Sequence, residues 1–134
     1  MVRVVAFAVV LCLAGCASTR ATPLSTLLEA LQEVPDRYDG KRIAVTAFVL
    51  ETGSHGTLLV DDPNRPEKTL LLRIGRPDDI PGMHQMTVMM VADWTPEVAR
   101  GVKAEFVGVI AVASDKSRVL VLESVNNLRW GDTH

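Results

Sequence analysis

After residue 16, this 134-residue chain contains no cysteine. A lone thiol at that position closes no disulfide with the chain behind it and builds no thiolate zinc site. Aromatic residues are nearly as scarce: beyond residue 15 there are Tyr38, Phe48, Trp94, Phe106 and Trp130. Positive charge is short as well. Leaving out Arg3, thirteen basic side chains face sixteen acidic ones, a formal charge of −3. Single-stranded nucleic acid is held by a basic groove with stacking aromatics, so nucleic acid is not the expected partner. The N-terminal apolar run, Val4 to Leu13, stops at ten residues, short of the ~20 that a helical membrane span needs. Hydrolytic catalysis requires a nucleophile held beside a base. None of His55, His84 and His134 stands in a nucleophile motif. Asp61 and Asp62 are adjacent, so on a strand they point to opposite faces and form no carboxylate pair. Asp78 and Asp79 precede the turn-like "IPG" and read as solvated. No enzyme is expected.

What is present begins with an address. Arg3 gives a positive start, Val4 to Leu13 an apolar core, and the small residues Ala14 and Gly15 precede Cys16. This is the pattern of a secretory signal peptide over residues 1–15. The tetrad Leu13-Ala14-Gly15-Cys16 resembles the lipobox of bacterial lipoproteins. That resemblance implies cleavage between Gly15 and Cys16, a diacylglyceryl thioether on the Cys16 sulfur, and an acylated amine. Several acyl chains hold a protein on a bilayer far longer than one does. Ala17 occupies the position where, in Gram-negative lipoproteins, an aspartate would favour the inner membrane. The resemblance therefore implies the periplasmic face of the outer membrane. Residues 16–22, ending in "ASTRAT", read as a lipidated tether, and residues 23–134 as one domain.

The domain opens with a helix. Leu24, Leu27, Leu28 and Leu31 form one stripe, with Thr22 placed to cap, Pro23 suited to the first turn, Glu29 and Glu33 on the opposite side, and Pro35 as the stop. "KRIAVTAFVLE" (41–51) reads as a long strand with Ile43, Val45, Ala47 and Val49 inward, and Phe48 and Leu50 outward to meet the helix stripe. "TLLVDD" (57–62) and "KTLLLRIG" (68–75) are the second and third strands. Residues 76–101 form an irregular insert in which "MHQMTVMMVADW" fits a strand or a short helix equally. "VKAEFVGVIAV" (102–112) and "RVLVLESV" (118–125) complete five strands, and 126–134 reads as a tail. The first and fourth strands both start from a glycine (Gly40, Gly101) and carry a small inward residue seven positions on (Ala47, Gly108). Small residues there allow a sharp bend and a close backbone neighbour. The pattern is mainly β and resembles the OB-fold, a small five-stranded Greek-key barrel, here with one N-terminal helix. With the lipobox, the chain resembles the small periplasmic lipoproteins that carry an OB-like domain.

The expected role is a membrane-anchored, non-enzymatic binding module for an envelope protein or a small ligand. The alternative is periplasmic copper(I) binding. Met83, His84, Met86 and Met90 cluster within eight residues, with Met89 among them and Trp94 behind. Thioether and imidazole ligands suit Cu(I). A small periplasmic OB-fold copper chaperone uses the same residue types in a different order and spacing. The same methionines also fit ordinary core filling.

Overall fold

The computed structural model describes residues 20–53, 56–92 and 101–131. Cys16, His55, Trp94 and His134 lie outside the described residues.

A leucine stripe decides how the domain starts. Leu24, Leu27 and Leu31 are all buried on one side of α1 (Leu24–Glu33), and Leu28 packs against the same core. Thr22 does not cap this helix. It pairs instead with Val45, in the two-residue strand β1 (Thr22–Pro23), and Pro23 stands at the N-cap without a side-chain hydrogen bond. A 3₁₀ turn, Pro35–Tyr38, then leads to Gly40. The backbone there takes φ 75°, a value that favours glycine, and Gly40 N donates to Ile110 O at 2.8 Å.

Five strands follow: β2 (Arg42–Glu51), β3 (Thr57–Val60), β4 (Thr69–Arg73), β5 (Val102–Val112) and β6 (Arg118–Trp130). They close on themselves in the order β2-β3-β4-β6-β5-β2, with β4 and β6 parallel and the other pairs antiparallel. This mainly β, closed five-stranded barrel, with one extra strand and two helices, is consistent with an OB-like barrel. Closure depends on β2 serving two neighbours. Its residues 42–49 pair with β5, while 48–51 pair with β3. Alternation then puts Val45, Ala47 and Val49 inside with Leu70, Leu72, Val102, Ala104, Phe106, Ile110 and Leu120. The core runs from Leu24 to Leu128, so a chain that starts at residue 16 carries all of it. Among the described residues, no helix is long and apolar enough to cross a membrane.

One open reading is settled and two segments depart from the sequence expectation. Part of the insert is a second helix, α2 (Met83–Ala92), started by Gly82, whose carbonyl accepts from Met86 N at 3.0 Å. It has no glycine or proline inside it, and its apolar residues face every side, which is why neither period stood out. The expected tail is also partly strand, because β6 continues to Trp130 beside Val102. Asn127 accommodates the irregularity at φ 53°, a conformation asparagine tolerates, and its Nδ2 donates to Glu105 Oε2 at 3.1 Å. Finally, Phe48 is buried outside the main core and not under α1. Its ring lies against Gly101, with Lys103 Nζ 5.3 Å from the ring centroid.

Two glycines mark where backbones touch. A Cβ on Gly108 would stand 2.2 Å from Val121 O, and one on Gly82 2.1 Å from Val125 O. Gly82 also holds φ 84°. Gly82→Ala is expected to lower unfolding free energy by at least about 2 kcal/mol through clash and strain together. Urea unfolding of residues 16–134 measures it, and a loss under about 0.5 kcal/mol, the usual range for surface changes, would show that the approach is relaxed at little cost.

Two ion pairs tie distant segments. Arg118 donates from Nε and Nη2 to the two Asp39 oxygens at 3.0 and 2.9 Å. Arg42 donates to Glu123 at 2.6 and 3.2 Å. The Arg118 hydrogen bonds hold the Asp39 carboxyl below its ordinary 3.8, and those of Arg42 hold Glu123 below 4.5. A depressed carboxyl pKa contributes stability above its unfolded value and loses it as pH falls through the folded value. The urea midpoint should therefore drop between about pH 5 and pH 3, and Asp39→Asn should flatten part of that fall.

Candidate functional site

The methionine helix makes the site. On α2, Met83, Met86 and Met90 stand at i, i+3 and i+7, one face of a helix. Met86 is fully buried in the barrel core, while Met83, Met89 and Met90 pack against it from partly exposed positions. Beside this face opens a groove of about 440 Å³. Met83, Met86 and Met90 line it, with Thr87 and Val91 along the helix edge. Across from them stand Glu51, the last residue of β2, and Thr57, the first of β3. The two are cross-strand partners in the β2–β3 hairpin, so the strand register brings them together.

The wall is apolar and soft, because thioether chains adapt to irregular shapes. Its polar atoms are few and ordered. Thr57 Oγ1 donates to Glu51 Oε2 at 2.7 Å, and Gly53 N donates to Oε1 at 3.4 Å. On the helix, Thr87 Oγ1 donates back to Met83 O at 3.0 Å. Glu51 is the sole charged side chain among the described residues that line the groove.

The four residues expected to cluster around a metal divide. Met83, Met86 and Met90 share the groove. His84 is exposed and opens on a neighbouring depression with Pro77, Asp78, Ile80 and Gln85, which Met83 and Thr87 also line, so Met83 borders both. The helical periodicity separates them, since position 84 lies about 100° round the axis from 83. The thioethers supply a soft donor set suited to Cu(I), without the imidazole. Among the described residues, no three His, Cys, Asp or Glu side chains come together as a metal-holding group.

The acidic pairs have turn roles. Asp62 Oδ1 accepts from Asn64 N at 2.9 Å, and Asp78 and Asp79 form an exposed 3₁₀ turn. A third depression, lined by Arg42, Arg76, Asp79 and Glu123, balances two positive against two negative side chains. There Arg42 is already engaged by Glu123.

Sequence reasoning missed Glu51 and Thr57. A glutamate that ends a strand and a threonine that starts the next carry no local signature. Only the hairpin register and the position of α2 make them a site. No protein-family model matches the chain, and neither a curated protein nor a solved structure does. The chemistry of the groove therefore rests on its own residues.

Met86 and Val91 separate packing from binding. Met86→Ala should cost about 2–5 kcal/mol, the range for a truncated buried side chain. Val91, 71% exposed, should tolerate alanine within about 0.5 kcal/mol. Denaturant titration of both variants decides this, and similar losses at the two positions would contradict the assigned packing.

Proposed function

We propose that this chain is a lipid-anchored, non-enzymatic binding module of the bacterial cell envelope, holding a small ligand or an apolar side chain of a partner protein in the groove beside Met86. The observation that carries the reading is the groove itself. Ligand sites are concave, mostly apolar, about 300–1,000 Å³, and set by a few placed polar groups. A space of about 440 Å³ walled by three methionines and edged by Glu51 and Thr57 has those properties. The envelope address is supported by Arg3, the apolar run Val4 to Leu13 and the Leu13-Ala14-Gly15-Cys16 tetrad. Ala17 supports the outer membrane, with the domain on its periplasmic face.

A second reading is Cu(I) binding, favoured by three thioethers on one groove. It predicts saturable one-to-one silver(I) binding, lost on Met83→Leu with Met90→Leu and unaffected by His84→Ala.

Two measurements test the first reading. Radiolabelled palmitate should attach to the wild-type chain in cells and not to Cys16→Ala; equal labelling would remove the anchor. The neutral apolar dye N-phenyl-1-naphthylamine should bind residues 16–134 saturably, and Val91→Glu should weaken it at least about tenfold by setting a charge against the apolar ligand. Unsaturable binding, or binding indifferent to Val91→Glu, would remove the groove.

A further inference from the structure

The groove carries one carboxylate, and its setting identifies a class of ligand. Glu51 ends β2 at the groove's polar edge, opposite the methionine face. Its two oxygens each accept one hydrogen bond, from Thr57 Oγ1 and from Gly53 N. Those bonds fix the head group of a long, otherwise mobile side chain. An ionised carboxylate offers about four acceptor positions, so the two donors leave about half of them open. No lysine or arginine is paired with Glu51 among the described residues; the ion pairs there are Arg42 with Glu123 and Arg118 with Asp39. Nor does α2 bring a cation to it, since Met83 to Ala92 contains no charged residue. An anion entering the groove would meet Glu51 with no cation paired to it among the described residues. A neutral apolar ligand would leave the oriented carboxylate facing an uncharged neighbour. A ligand with an apolar body and a cationic head satisfies both halves: thioethers around the body and the free Glu51 positions toward the head.

The geometry points to a small amphiphilic cation, an organic amine or quaternary ammonium with an apolar tail, as the ligand of this groove. This rests on the groove being the binding site and names what it selects. Glu51 is exposed, so its attraction acts in high dielectric and adds selectivity more than affinity. The apolar wall supplies most of the binding and the carboxylate sorts among tails of equal length.

Three probes with one tail test it: octylammonium, octanol and octanoate, each displacing N-phenyl-1-naphthylamine from residues 16–134 carrying Cys16→Ser. Octylammonium should bind about two- to fivefold more tightly than octanol at low salt, and octanoate most weakly. Raising the salt should narrow the gap. Glu51→Gln should erase the difference between octylammonium and octanol, and should also remove the salt dependence of octylammonium binding. Equal binding of the three, or a gap that survives Glu51→Gln, would overturn the cation assignment and leave the groove standing. Failure of all three to displace the dye would overturn the groove with it.

Discussion

The barrel depends on β2 being shared. One strand gives its first eight residues to β5 and its last four to β3, overlapping at Phe48 and Val49. That overlap turns a sheet into a closed tube and leaves its inner face dry. It requires small side chains where neighbours approach, and the chain supplies them: Ala47 faces Ala104 across the β2–β5 ladder, and Gly108 lets the Val121 carbonyl come within contact of its Cα. Register irregularities in the β5–β6 ladder beside Lys103 and Gly108, each with the extra residue on β6, add the bending that closure needs. The groove is a by-product of this arrangement. Because β2 ends at Glu51 and β3 begins at Thr57, the rim falls where α2 crosses, and a polar edge meets an apolar helix.

Much of this was legible in the residues. The leucine stripe of α1 and the alternation in β2, β4 and β5 are strong periodic signals, and the side chains went to the faces their periods assigned, except at the end of β5, where Val112 is exposed. The matched glycines and small residues in the first and fourth strands announced close approach, and Gly108 makes it. α2 was hidden because an apolar helix with no polar face has no period to read. The end of β6 was hidden because asparagines such as Asn126 and Asn127 favour turns over strands, and 126–134 read as a tail. Here a bulge and a cross-strand hydrogen bond from the Asn127 side chain to Glu105 carry the strand through them. Phe48 was placed on the correct side of its strand but under the wrong neighbour, since only the fold could bring Gly101 over its ring.

The site divides the same way. The methionine cluster was visible as composition, but composition counts residues and not directions. The helix left His84 out of the groove that the three thioethers share, with Met83 the one thioether bordering both depressions, and set the thioethers against two residues from a hairpin more than twenty-five positions earlier. Glu51 becomes informative only in that company. On a bare strand end it is one more solvated acid.

One small feature bears on how the domain takes force. β1 runs parallel to β2 and is two residues long, and α1 follows it directly. A pull on the chain ahead of Thr22, directed along β2, strains that short ladder in shear before it reaches any other part of the fold. Should the ladder part, the load passes to Leu24 and then turn by turn along the leucine stripe. The N-terminal segment is thus where such a load is first borne, and because Leu24, Leu27 and Leu31 belong to the barrel's core, peeling the helix away would uncover that core.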